Sequence, residues 1–497
     1  MNRIDRCAML LAPLLGALAS LGFAPWNLKP LPVLALAGLL WLLRDARPAR
    51  ALCLAGLFAL AHYLSGTYWL YISTAVYGGA APWLGVVLTL LACLISASYP
   101  ALVCAGLAWL RALRGPVAWF AVPAGWLLAE LARAHMPVLA FPWLSWGDVM
   151  LDTPLARLAP LIGVHGLSAL MALTAVALAQ FWAAARAQRL ALAALVLLPY
   201  AAAALAPAPL DWTRPAAGAL PVAIVQGNIP MDQKWLPQMQ RETLHRYRSM
   251  TLAAEDARLI VWPEAALAQR YDQVRDPYLG PLAAWARERE ATLLLGSIVL
   301  SEAPQGVYNS IVVTGAAEGR YDKRHLVPFG EYFPIPDWLR PLLDVLGTPY
   351  SDFLFGAAEQ PPLPIAGQPV GLFICFEDVF ADEFRRSARE AALLVSVTND
   401  AWFGRSIAAE QHLAMARLRS LETGRETIRA SNTGRSALIG ADGSLLAASG
   451  FFTTELLRAQ AQPRSGQTPY ARWGDAPLWL LVILALLVLA LRRRYSA

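Results

Sequence analysis

Lysine is nearly missing from this chain. Only Lys29, Lys234 and Lys323 occur among 41 basic residues, so arginine carries the remaining positive charge. Charged residues of both signs make up only 15% of 497 residues, against about 25% in an ordinary soluble domain. That shortage, with 57% hydrophobic residues, excludes a disordered chain and a purely soluble enzyme. There are five cysteines and no CxxC pair, so neither a disulfide framework nor a structural zinc site is expected. No HExxH and no glycine-rich phosphate loop occurs, and no metal or cofactor is expected.

The charges that do occur are unevenly placed. Residues 1–206 hold 12 Lys+Arg and 5 Asp+Glu, leaving 29 and 30 for residues 207–497. The net +6 therefore comes from the apolar half, and it sits in short loops between apolar runs. This is the pattern of a membrane protein's loops, and no nucleic-acid partner is expected.

Apolar runs at 8–24, 27–43, 51–73, 83–110, 117–134, 160–185, 189–206 and 477–491 predict about eight transmembrane helices. Five arginine clusters (3 and 6; 44, 47 and 50; 111 and 114; 186 and 189; 492–494) fall on one side of eight crossings. The other side carries Lys29, Arg133 and Arg157. The positive-inside rule then puts both termini in the cytoplasm and residues 207–476 outside it. Three regions are expected: a transmembrane domain over 1–206, a polar domain over 207–476, and a last helix with its tail over 477–497. The loop 135–159 is too polar to span, with Trp143 and Trp146 reading either as interfacial anchors or as a wall for a lipid substrate.

From a Pro-rich linker near 207 the pattern changes to alternating strands and helices, an α/β domain with layered sheets. Strands are expected at 221–226, 258–263, 292–299, 309–314, 369–375, 393–398 and 436–441. Helices are expected at about 237–256, 280–290, 381–391 and 409–427. Glu264 follows one strand in VWPEAA, Cys375 ends another in GLFICFED, and YDKRHLVPFGE carries Lys323 and Glu331. A thiol needs a base to become a nucleophile, a carboxylate supplies one, and an ammonium stabilises a tetrahedral oxyanion. Together they describe acyl transfer through a thioester. Taken singly, each residue has a plainer reading: a buried small residue, a helix cap, a solvated surface charge. His325 reads as structural more readily than as the thiol's partner.

WPE (262–264), KRHLVPFGE (323–331), ICFED (374–378) and NDAWFG (399–404) together resemble the nitrilase superfamily. QGNIPMDQKW (226–235), QHLAMARLRSLETGRETIRASNTG (411–434) and the eight-span layout extend the resemblance, over nearly the whole chain, to the bacterial apolipoprotein N-acyltransferases. The resemblance implies a helical transmembrane bundle plus a nitrilase-like αββα sandwich on the periplasmic face of the inner membrane. It implies Glu264 as general base, Lys323 as oxyanion stabiliser and Cys375 as nucleophile. Trp235, Asn309, Glu331 and Glu377 match supporting positions, and Phe376 stands where the family commonly has Tyr. The implied reaction moves an acyl chain from a phospholipid, usually phosphatidylethanolamine, to the α-amino group of the N-terminal S-diacylglyceryl cysteine of an apolipoprotein. A monomer is implied, and no cofactor. The segment 332–355 is expected either to cover the domain or to dip into the membrane interface as an arm. Two other readings stay open: a membrane-tethered amidase using the same triad, and a transporter or lipoprotein-binding scaffold with an inactive outer domain.

Overall fold

The computed structural model describes residues 3–181, 184–206, 209–216, 218–336, 338, 340 and 352–496. Most of the expected 332–355 arm, including Leu339 and Leu342, lies outside them. The chain forms two compact units: 1–71, 86–208 and 473–497 make one, and 72–85 and 209–472 the other.

The first unit is helical: α1 (Arg3–Ser20), α2 (Pro30–Leu43), α3 (Pro48–Gly66), α4 (Pro82–Trp109), α5 (Ala118–Ala134), α6 (Ala159–Phe181), α7 (Arg186–Leu205) and, at the far end of the chain, α12 (Ala476–Ser496). Among the described residues five helices are long and apolar enough to cross a bilayer, within 48–66, 82–109, 154–181, 186–205 and 476–494. α1 and α2 are apolar but shorter. Helices in lipid gain little from the hydrophobic effect and associate through close packing of small residues. Gly16 shows this: a Cβ there would lie 1.9 Å from the Phe58 carbonyl, so α1 rests directly on the backbone of α3.

The loop 135–159 differs from both expectations. Trp143 and Trp146 are fully buried in the helical unit, Trp143 tilted against Trp69 at 4.7 Å and Trp146 edge-on to Trp126 at 4.9 Å between ring centroids. Arg133 explains why the loop turns inward. Its guanidinium donates to the carbonyls of Phe141 (2.7 Å) and Trp143 (2.6 Å) and pairs with Glu130 at 3.3 Å. A charge buried in an apolar bundle must be paired, and the loop backbone supplies acceptors. These two tryptophans are therefore core residues, neither anchors nor a lipid wall.

The second unit is built on two six-stranded sheets. The first runs through β1 (Leu220–Gln226), β2 (Leu259–Val261), β3 (Thr292–Glu302), β4 (Gln305–Gly315) and β5 (Gly319–Asp322), with β12 (Glu455–Ala461) flanking β1. The second has the order β11 (Leu445–Ala448), β10 (Ala437–Ile439), β9 (Thr427–Ser431), β8 (Leu393–Thr398), β7 (Gln368–Ile374), β6 (Leu363–Ile365). β1–β2–β3 and β7–β8–β9 are parallel, and the outer pairs are antiparallel.

Alternation along the strands decides the layers. Val222, Ile224, Leu372, Ile374, Val395 and Val397 face inward and form the apolar centre between the sheets. The opposite face of the first sheet packs on α8 (Pro237–Ala253) and α9 (Gly280–Glu288), through Ile260, Trp262 and Leu293. The opposite face of the second sheet meets α10 (Ala381–Ala388) through Phe373 and Leu394 and α11 (Ala408–Thr423) through Ala437 and Ile439. The result is an αββα sandwich. The expected helix over 409–427 stops at Thr423, where Gly424 takes a left-handed cap, and Thr427 begins a central strand instead.

Candidate active site

Three loops at the ends of β2, β5 and β7 carry the residues singled out in the sequence. Glu264 follows β2 and is 6% exposed; Lys323 follows β5 and is 1% exposed. A lysine so deeply buried must be paired. Its ammonium donates to Glu331 Oε1 at 2.8 Å and to Glu264 Oε1 at 3.3 Å. Burial opposes the charge, but the two carboxylates outweigh it and hold Lys323 above its ordinary value. Asn309, on β4, donates from Nδ2 to the same two oxygens, at 2.8 and 2.9 Å. The Val327 N–H donates to the second oxygen of Glu331 at 2.8 Å, and the Asn399 N–H to Glu264 Oε2 at 2.9 Å. Glu264 caps no helix, and Lys323 is no surface charge.

Cys375 ends β7 in a left-handed turn, with φ +54°. A non-glycine residue in that region is strained, and such strain gathers at functional sites. Burial pushes its thiol well up, Glu264 and Asp400 push the same way, and Lys323 and Thr398 pull it down. The thiol is thus buried within electrostatic reach of both Glu264 and Lys323.

Glu377, two residues on, is fully buried and works as a clamp. It accepts from the Ile374 N–H at 2.7 Å, the Arg324 N–H at 2.8 Å, the His325 N–H at 3.2 Å, and the Tyr321 hydroxyl at 2.9 and 3.0 Å. One carboxylate thereby ties the Cys375 turn to the Lys323 loop. Burial pushes it up, against the pull of Arg324 and these N–H groups. Phe376 packs edge-on to Phe380, with ring centroids 5.1 Å apart. His325 stacks on Phe380 at 3.7 Å and meets Glu383 at 2.9 Å, in keeping with the structural reading. Trp235 is half exposed on the loop after β1. Its neighbour Lys234 is buried and donates to the Ala265 carbonyl, beside Glu264; burial lowers it to about 8 against the pull of Glu264.

The carbon-nitrogen hydrolase family matches residues 221–470, and the apolipoprotein N-acyltransferase N-terminal domain matches residues 15–177. Apolipoprotein N-acyltransferase of Methylococcus capsulatus is 40% identical over 95% of this chain and 93% of its own. That of Nitrosomonas europaea is 39% identical over 95% of both chains, and that of Azotobacter vinelandii 41% over 98% and 95%. The chain belongs to the apolipoprotein N-acyltransferase family. Among solved structures, a carbon-nitrogen hydrolase from Helicobacter pylori overlays with a TM-score of 0.38 and 16% identity, over 49% of this chain and 89% of that one.

Several site residues of this family member had no role in the sequence reading. Asp378, Asp400, His412 and Arg429 are wholly buried around the Cys375 turn. Arg429 pairs with Asp378 and stands 3.5 Å from Asp400. His412 lies 2.9 Å from Asp400 through Nδ1 and 3.2 Å from the Cys375 carbonyl through Nε2. Asn432 donates to the Ile229 carbonyl at 2.8 Å and to Asn399 Oδ1 at 3.1 Å, joining the QGNIP and NDAWFG segments around Glu264. One signal was available: LLVSVT and TIRAS alternate apolar residues with Ser, Thr and Arg, as strands do whose second face is buried and polar. Among the described residues no group of three or more His, Cys, Asp or Glu is placed to hold a metal.

Proposed function

We propose that this chain transfers a fatty acyl chain from a phospholipid, through a Cys375 thioester, to the α-amino group of the S-diacylglyceryl cysteine of an apolipoprotein. The carrying observation is the buried Lys323 shared between Glu264 and Glu331, within electrostatic reach of a strained Cys375. With the thiol pushed up, the resting sulfur is protonated and attack needs a base. Glu264 takes the S–H proton as sulfur adds to the ester carbonyl. Lys323 faces the developing oxyanion as a fixed charge that needs no reorganisation. Glu264 then returns the proton to the departing alcohol, and lysophospholipid leaves. In the second half the lipoprotein amine adds to the thioester, Glu264 accepts its proton, and the sulfur departs and is reprotonated.

Glu331 and Asn309 hold Lys323 and Glu264 in register, and Glu377 fixes the turn that aims the sulfur. Trp235 lines the approach. Phosphatidylethanolamine is the expected donor, and the working form is a monomer. The helical bundle of 1–206 with the last helix seats the enzyme in the inner membrane, and the 207–476 domain works on the periplasmic side, where both lipid substrates meet it.

The test is the intact mass of the detergent-purified protein after incubation with defined phosphatidylethanolamine, beside a Cys375→Ala control. The expected result is one added acyl group on the wild type alone, released by hydroxylamine and discharged by a diacylglyceryl peptide. No adduct with confirmed lipid access overturns the thioester; ammonia release from small amides instead points to a tethered amidase.

A further inference from the structure

His412 lies on α11 and is wholly buried. Its two ring nitrogens reach two different acceptors. Nδ1 is 2.9 Å from Asp400 Oδ1, and Nε2 is 3.2 Å from the backbone carbonyl of Cys375. A carboxylate and a carbonyl can only accept, so both nitrogens donate and the ring carries a positive charge. The surroundings match that charge. Asp378 Oδ2 stands 3.8 Å from Nε2, and Asp378 and Asp400 together face Arg429 and His412, two negative charges against two positive. Ser431 holds the second oxygen of Asp400 at 3.0 Å, so the imidazole is braced from behind.

The carbonyl it grips belongs to the strained residue of the site. Cys375 has φ +54°, a conformation that a side chain bearing a Cβ leaves unless its neighbours hold it. The peptide joining Cys375 to Phe376 is planar, so fixing its oxygen fixes the whole plane. On the other side of Cys375, Glu377 holds the Ile374 N–H at 2.7 Å. The backbone is thus gripped both before and after the carbon that bears the thiol, by a carboxylate on one side and an imidazole on the other.

We propose that His412 is a positioning residue of the acyl transfer, its Nε2–H holding the Cys375 carbonyl so that the strained turn presents the sulfur in one direction. The proposal rests on Cys375 being the acyl carrier. His412 touches no reacting atom, and its hydrogens stay on the ring throughout.

The test uses the full-length detergent-purified protein with His412→Gln and His412→Asn. Glutamine carries its amide nitrogen close to the Nε2 position and keeps a donor for the Cys375 carbonyl. Asparagine, one methylene shorter, keeps a donor for Asp400 alone. The rate of hydroxylamine-sensitive acyl-enzyme formation from saturating phosphatidylethanolamine is measured, with the melting temperature of each variant beside it. Each variant gives up one of two bonds, so the melting temperatures are expected to fall together while the rates diverge. Asparagine is expected to slow acyl-enzyme formation about tenfold to a hundredfold, the scale of one hydrogen bond with a charged partner, and glutamine to recover most of that loss. Equal rates in the two variants overturn the proposal, as does a glutamine variant slower than the asparagine one; either marks His412 as a brace for Asp400 only. Failure of both to fold marks a structural core residue and overturns it too. Where one variant alone folds, it decides: glutamine near the wild-type rate or asparagine well below it supports the proposal, and the reverse overturns it. Wild type that alkylates at Cys375 with iodoacetamide but never carries an acyl group overturns instead the reading on which the proposal rests.

Discussion

At the scale of single residues, this domain places charges where water cannot reach and compensates each with partners. Asp400 shows the balance. Burial raises its carboxyl, yet Arg429, His412 and Ser431 outweigh burial and hold it at about 2. An unfolded aspartate titrates near pH ~3.9. A depressed folded value means stabilisation that is complete above the unfolded value and fades as pH falls towards about 2. The size is on the order of 2 kcal/mol. Asp400→Asn removes that contribution and leaves Arg429 with a weaker partner. Thermal unfolding of both proteins between pH 6 and pH 3 is expected to show Asp400→Asn less stable at pH 6 and the gap narrowing towards pH 3. A gap that stays constant with pH counts against Asp400 as the titrating group.

At the scale of elements, the site depends on how closely strands carry their terminal loops. Gly296 on β3 shows it. A Cβ there would lie 2.1 Å from the Pro263 carbonyl and 2.6 Å from the Glu264 Cα. Both are backbone atoms, which cannot swing aside as a flexible side chain can. Gly296→Ala therefore has to move the WPE loop and Glu264 with it. Overpacking of this kind costs about 1–3 kcal/mol, and a base displaced by ~1 Å can cost on the order of a hundredfold in rate. The expected outcome is a folded protein whose acyl-enzyme formation falls far more than its melting temperature. Unchanged transfer would mean that the loop absorbs the methyl without moving Glu264.

Strand positions and order along the chain were largely legible, because 221–226 and 393–398 stand out as short apolar runs between polar segments. Short strands escaped. Gly319–Asp322, Leu363–Ile365 and Leu445–Ala448 have too few residues for a period to show. Over Thr427–Ser431 the sequence predicts no strand, only a helix reaching about 427, and Asp378 and Asp400 are what make the buried Arg429 tolerable there.

At the scale of the whole molecule, the basic clusters at 44–50, 111–114, 186–189 and 492–494 predict one shared side for those loops and the opposite side for 207–476. A single cysteine at Asp442, an exposed turn residue, and another at Arg494 test this in a chain whose five native cysteines have been replaced. In intact cells with a permeabilised outer membrane, an impermeant maleimide is expected to label position 442 and to reach position 494 only after lysis. The reverse pattern inverts the proposed orientation.

Composition and motif order, by themselves, determined that this chain has an apolar helical part and an α/β part, and singled out Glu264, Lys323 and Cys375 as the residues proposed to carry its chemistry. Those are local properties: hydrophobic runs, two-residue alternation and reactive side chains at strand ends. Only the tertiary structure decided that Lys323 is shared by two carboxylates, that Glu377 ties two loops, and that Trp143 and Trp146 are core. Each of these joins residues far apart in the chain. Strand pairing and burial brought them together, and burial without water made their pairing obligatory.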